Sequence, residues 1–212
     1  MILSRMELDT TKPETMMALA APSRFHGAVE QSFPGEKRRR LWRLDNLKGR
    51  LYLLLASEDV PDLTRAVEQF GFPKKEPAWE TRGYDPFLDR ITRGTRWQFR
   101  LVANPTFSRS KKGERGRIHA HSTPVNQKRW LMEQSGKHGF SLEEEGFQVV
   151  QSRWQRFMKG GKRPVSLLAV TYEGVLTVTD PDLMRAALTE GIGRGKAYGM
   201  GLLTLTGVAR NG

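Results

Sequence analysis

Five glycines fall within eleven residues in Gly191-Ile192-Gly193-Arg194-Gly195-Lys196-Ala197-Tyr198-Gly199-Met200-Gly201, and they bar any regular element from running through this stretch. Such a segment calls for a backbone that turns tightly and lets another group come close. It lies between a helix expected over Pro181 to Glu190 and an apolar strand expected over Leu202 to Val208. That order is the reverse of the strand, loop and helix of dinucleotide and P-loop sites, so a nucleotide-binding enzyme is the weaker reading. Free backbone N–H groups and the cations Arg194 and Lys196 suit a polyanion lying across the loop.

The overall charge agrees. The chain carries 35 Lys and Arg against 23 Asp and Glu, a formal net charge of +12, and an isoelectric point near 10.3. That is the electrostatic footprint of a nucleic-acid binder, whose affinity falls as salt rises. The 212 residues, 38% of them hydrophobic, are enough for one large or two small packed cores. No apolar run reaches membrane-spanning length and the N-terminus lacks the apolar core of a secretion signal, so a soluble cytoplasmic protein is expected. Without cysteine, disulfides and thiolate metal sites are excluded, leaving His26, His119, His121, His138 and carboxylates for any metal. No metal, cofactor or membrane partner is expected.

Periodicity along the chain gives the same order twice. Ile2 to Leu8 reads as a strand, Pro13 to Pro22 as a helix, and Ser23 to Phe33 as a second helix with Ser23 as N-cap. Strands at Leu41 to Leu44 and Arg50 to Ala56 flank a turn at Asn46-Leu47-Lys48-Gly49, and a helix from Pro61 to Phe70 precedes a weak last strand. In the second half come a strand at Trp97 to Ala103, a helix from Asn126 to Lys137, and strands at Phe147 to Ser152 and Val165 to Thr179 around a basic turn. The Pro181 to Glu190 helix and the Leu202 to Val208 strand close the unit. Strand, helix, two strands, helix, strand is the ferredoxin-like order. The expected fold is α+β, two tandem ferredoxin-like (RRM-like) domains over 1–88 and 95–212, joined around Tyr84 to Thr95.

Basic runs occur at Lys37 to Arg40, at Arg109 to Arg117 (five cations in nine residues), and at Arg153 to Arg163. A single run reads as a solvated face, whereas three runs beside the glycine segment favour nucleic acid. In the third, Trp154 and Phe157 interleave with Arg153, Arg156, Lys159, Lys162 and Arg163, a pattern for a hairpin that grips phosphates; Trp154 alone also fits a core position. Among the histidines, His26 lies in the first turn of the second helix, beside Arg24. RNA supplies its own nucleophile in the 2′-hydroxyl, so one imidazole and a few cations suffice for strand cleavage, although a surface or capping histidine is the plainer reading. His119 and His121, two apart, share a face in an extended segment and form a competing metal or acid/base pair, but no carboxylate is near in sequence, and an exposed strand or loop pair is the plainer reading. His138 reads as a helix C-terminal residue that complements the dipole. Glu143-Glu144-Glu145 reads as a solvated turn.

Taken together, the Gly191-Ile192-Gly193 and Gly199-Met200-Gly201 pairs resemble the signature of the repeat-associated RNA-binding superfamily of CRISPR systems. Leu3 to Asp9, Phe25 to Phe33, Phe99 to Thr106 and the glycine loop extend the resemblance over nearly the whole chain, to the CasE family, the repeat-RNA endoribonuclease subunit of Cascade. The resemblance implies a tandem ferredoxin-like enzyme that needs no metal. It cuts the CRISPR transcript at the 3′ base of each repeat hairpin by 2′-hydroxyl attack, then stays on the product with the other Cascade subunits. His26 falls on the family's catalytic histidine, whereas Ser23 stands where some members carry a tyrosine. Either Lys37, Arg24, Arg38 or Lys196 then assists, or His26 works nearly alone in a slow enzyme. RNA contacts are expected from Arg24, Arg38, Arg39, Arg109, Lys111, the Arg153 to Arg163 hairpin, Gly193, Arg194 and Lys196. The alternative is a non-catalytic RNA-binding scaffold subunit of the same ribonucleoprotein.

Overall fold

A computed structural model of the chain describes residues 1–35, 38–109, 117–159 and 163–208, with the backbone alone at Lys159. The first half runs β1 (Ile2–Glu7), α1 (Pro13–Ala20), α2 (Ser23–Gln31), β2 (Leu41–Leu47), β3 (Arg50–Ser57), α3 (Thr64–Phe70) and β4 (Trp79–Gly83). In β1, Met6 turns to the core while Arg5 turns outward to Glu80 at 2.8 Å, the alternation a half-buried strand requires. Helix α2 buries Phe25, Ala28 and Val29, one stripe at helical spacing. Phe25 meets the rings of Trp42 and Phe70 at 5.9 and 5.0 Å, which centres the core between sheet and helices. The β2–β3 hairpin closes on Lys48 and Gly49, with φ of 52° and 80°, so the turn takes two residues and β2 continues through Asn46 and Leu47. The sheet order is β2-β3-β1-β4, antiparallel throughout.

A short α4 (Asp85–Leu88) leads to the second half: β5 (Arg96–Ala103), β6 (Thr106–Arg109), β7 (Arg117–Ala120), α5 (Pro124–Ser135), β8 (Phe140–Ser141), β9 (Phe147–Lys159), β10 (Arg163–Val178), α6 (Pro181–Glu190) and β11 (Leu203–Gly207). Asp180 caps α6, its carboxylate accepting from the N–H groups of Asp182 and Leu183 at 3.0 and 3.1 Å, and Pro181 occupies the first helical position. The second sheet runs β11-β5-β10, with β9 and the short β8 on the far edge of β10. In each half the last strand lies beside the first, the first beside the third and the third beside the second. The fold is therefore tandem ferredoxin-like, as the element order predicts.

Two details depart from expectation. The β9–β10 strands are 13 and 16 residues long, so Arg153 to Phe157 lie in a strand and not in a turn. Within it Trp154 is 47% exposed and Phe157 8%: it is Phe157, and not Trp154, that packs inward. The sheets are joined by Leu41, Ala56 and Leu202 and by a buried ion network. Arg43 on β2 reaches Asp45 at 2.8 and 2.5 Å, the carbonyls of Arg100 and Leu202 at 2.9 and 2.7 Å, and the Thr204 hydroxyl at 2.8 Å. Arg100 adds a contact to Asp45 at 3.1 Å and pairs with Glu173. Among the described residues, no helix is long and apolar enough to cross a membrane.

Candidate nucleic-acid interface

Helix α2 carries the first candidate. Pro22, not Ser23, holds its N-cap position, because the helix already includes Ser23; the His26 N–H donates to the Pro22 carbonyl at 3.2 Å. With Phe25, Ala28 and Val29 inward, Ser23 and His26 are half-buried and Arg24 is exposed. Against this helix, and against β2, packs the 3-10 turn Lys196–Tyr198 of the glycine segment, bringing the two halves of the chain together at α2.

The glycines of that segment serve close packing. Gly199 has φ 79°, and a Cβ there would stand 2.7 Å from Cζ3 of Trp42; Gly193 has φ 78°, and its Cβ would stand 3.2 Å from Trp130. Several backbone N–H groups expected to be free are used within the protein: inside the loop Ile192 donates to the Gly201 carbonyl at 2.9 Å and Tyr198 to Gly195 at 2.8 Å, and Gly201 donates to Val102 of β5 at 2.7 Å. What the loop presents is an exposed Arg194 and a half-buried Lys196. Burial holds the Lys196 ammonium below the usual lysine range, the Arg39 guanidinium pushes the same way, and Glu190 opposes both. Arg39 itself reaches the Glu190 carbonyl at 3.4 Å.

His138 closes the helix end, as expected. It is the half-buried residue of an otherwise exposed 3-10 turn (Gly136–His138), where burial, then Lys196 and Lys137, lower its pKa against a smaller pull from Glu190. A cation there would face two others, which disfavours the protonated imidazole.

The long hairpin supplies the opposite wall. Arg153, Gln155 and Phe157 alternate onto one face of β9, where Phe157 meets the Tyr198 ring at 5.1 Å. Arg153 and Gln155 line a cleft with Pro22, Trp42, Tyr198 and Gly199. Two polar atoms on its lining residues, Trp42 Nε1 and Gln155 Oε1, are buried without a hydrogen-bond partner among the described residues. Such atoms are rare in folded proteins and mark places where a ligand or water completes the bonding. Arg156 and Trp154 lie on the other face of the strand, so the hairpin cations point in two directions.

Of the residues singled out in the sequence, Ser23, Arg24 and His26 lie on α2, Gly193, Arg194 and Lys196 on the glycine loop, and Arg153 on β9. Arg38 is paired with Glu58 and Asp59 at 3.1 and 3.5 Å, and Arg163 is exposed near the end of the hairpin. Arg109 lies on the separate β6–β7 ribbon. Lys37, Lys111 and Lys162 lie outside the described residues, as does the side chain of Lys159. His119 and His121 share a face, as their spacing predicts. Among the described residues no group of three or more His, Cys, Asp or Glu is placed to hold a metal. The sequence reading missed Trp42, Gln155 and Tyr198; of these, Tyr198 alone carried a sequence signal, its place inside the glycine segment.

A glycine loop of one ferredoxin-like unit, held against a histidine-bearing helix of the other, defines the class: a tandem ferredoxin-like protein with a basic inter-unit face. The chain belongs to the family of CRISPR-associated proteins, whose family model matches residues 1–206. It is 31% identical, over 222 residues, to the CRISPR-associated endoribonuclease Cse3 of Thermus thermophilus, covering 97% of this chain and 99% of that relative. A structure of CRISPR endoribonuclease Cse3 bound to a 19-nucleotide RNA matches with a TM-score of 0.78 and 27% identity, over 96% of this chain and 98% of that one. Thermus thermophilus Cse3 bound to an RNA representing a pre-cleavage complex matches with a TM-score of 0.77 and 26% identity, over 97% and 98%.

Proposed function

We propose that the protein is an endoribonuclease that cleaves CRISPR precursor RNA within the repeat, at the 3′ base of its hairpin, and stays on the mature CRISPR RNA as a subunit of Cascade in the cytoplasm. The observation that carries this reading is the position of His26, on a helix against which the glycine loop packs, in a chain similar end to end to an RNA-bound endoribonuclease. Residues 1–88 and 95–212 are taken as its two domains.

In the proposed step the 2′-hydroxyl attacks the adjacent phosphorus. The O2′–P bond forms, the P–O5′ bond breaks, and the products are a 2′,3′-cyclic phosphate and a 5′-hydroxyl. His26 accepts the 2′-hydroxyl proton and solvent protonates the departing O5′. Arg24 and Lys196 offset the negative charge that grows on the phosphate oxygens. Burial and the Arg39 guanidinium disfavour the charged form of Lys196, and a phosphate bound beside it favours that form. Ser23 supplies an alcohol without the acidity of a phenol, and Lys37 enters the proposal on sequence grounds. Arg153, Arg156, Lys159, Lys162 and Arg163 hold the stem, with Arg38, Arg39, Arg109, Lys111, Gly193 and Arg194 as further RNA contacts.

The test is cleavage of a labelled repeat hairpin in chelator by the native protein and by His26→Ala, with binding measured in parallel. The expected loss is about 10²- to 10⁴-fold in rate, with little change in affinity. Equal rates would move the chemistry away from His26. A native protein that binds tightly and never cuts would be a scaffold.

A further inference from the structure

The ribbon of β6 and β7 belongs to neither ferredoxin-like unit, and the cleavage step makes no use of its rings. Its register pairs Phe107 with His119 and Arg109 with Arg117, so all four side chains share one face. The Phe107 ring, 42% exposed, lies 5.6 Å from the His119 ring at an interplanar angle of 28°, and 4.8 Å from the His121 ring at 38°. Three planar rings are thus gathered at the surface, with two exposed guanidinium groups one strand position further along. No acidic residue occurs in either strand.

The base of the ribbon is tied to both elements proposed to hold RNA. Asn104, just before β6, bridges to Arg194 of the glycine loop. Just after β7, the His121 N–H donates to the Pro105 carbonyl at 2.9 Å. The Gln127 amide donates both to the His121 carbonyl at 2.9 Å and to the Ser152 hydroxyl of β9 at 3.0 Å. An RNA lying on the loop and the hairpin therefore has this face as its continuation.

We propose that this face is a stacking platform for unpaired nucleotides of the bound RNA, with Phe107, His119 and His121 receiving bases and Arg109 and Arg117 receiving phosphates. The proposal rests on the RNA-processing reading above and adds to it a single-stranded segment beside the hairpin. Paired bases hide their faces in the stack, so flat rings at a surface select unpaired ones, and every base has such a face. Rings beside a pair of guanidinium groups offer one surface for bases and an adjacent one for the phosphates that join them.

The experiment uses the full chain and three repeat RNAs, each made uncleavable by a 2′-deoxy nucleotide at the scissile position: the bare hairpin, and the hairpin with eight unpaired nucleotides on its 5′ or its 3′ side. A 2-aminopurine in each extension reports stacking. One extension is expected to tighten native binding by about tenfold or more and to quench the fluorophore, since a stacked base contributes roughly 1–3 kcal/mol. Phe107→Ala should lose both effects while holding the bare hairpin as before, and Phe107→Trp should restore them. An extension that adds nothing to native binding overturns the platform, as does a Phe107→Ala loss that is equal for bare and extended RNA. A native protein that does not bind even the bare hairpin overturns the RNA-processing reading instead.

Discussion

The two halves of the chain use the same hairpin position for opposite ends. In the first, β2 and β3 are seven and eight residues long, turn on Lys48-Gly49, and keep Trp42 and Arg43 at 1% exposure. In the second, the equivalent strands reach 13 and 16 residues and carry exposed Arg153 and Arg156 past the packed part of the sheet. Shared topology therefore says little about the role of an arginine. The one set among apolar neighbours, Leu41-Trp42-Arg43-Leu44, bolts the two sheets together, while those in the polar stretch stay open to a ligand.

The largest expected effect comes from breaking the bolt. Arg43→Ala removes both bonds to Asp45, both bonds to the carbonyls of Arg100 and Leu202, and the contact to Thr204. Among the described residues Asp45 is left with Arg100 alone, in a place 3% exposed to water. Removing one partner of a buried pair costs about 3–5 kcal/mol, so the urea midpoint should fall steeply. RNA cleavage should fall with it, since the glycine loop and α2 come from opposite sides of this join. A midpoint within experimental error of the native value would show that the apolar cluster of Leu41, Ala56 and Leu202 suffices.

A smaller and more local break is Gly199→Ala. The methyl group would stand 2.7 Å from the Trp42 ring, at a φ of 79° that L-residues avoid. Left-handed strain and overpacking together cost about 2–4 kcal/mol. Part of that cost can be relieved by lifting the Lys196–Tyr198 turn away from α2. The expected outcome is a cleavage rate that falls more than the affinity for RNA, measured with the cleavable and the 2′-deoxy hairpin. Equal losses in both would mean that the loop only binds.

The glycine loop, the order of elements and the position of His26 were legible because each rests on local signals: glycine spacing, hydrophobic period, and prolines at helix starts. The bolt was not legible, because a lone arginine in an apolar strand has the same local pattern whether its side chain turns outward or crosses to another sheet. The ribbon went unseen because strands of four residues, Thr106–Arg109 and Arg117–Ala120, are too short to show a period beside a basic run. The faces of the long hairpin depend on a register shift at Thr171/Tyr172, which no composition reveals; hence Trp154 was weighed as core although it lies outside.

That two-faced hairpin gives the finest test of the comparison. Arg153 turns toward the cleft beside Tyr198, and Arg156 turns to the opposite side of the same strand. Replacing a cation that holds one phosphate should lower the slope of log affinity against log salt by about one. If the hairpin is inserted into a groove of the RNA stem, Arg153→Ala and Arg156→Ala should each give that decrease, and the double variant should give about two. If the RNA lies over the cleft and touches one face only, Arg153→Ala alone should change the slope. If neither does, the exposed hairpin serves something other than RNA, and the contrast between a bolted arginine and a free one loses its functional meaning.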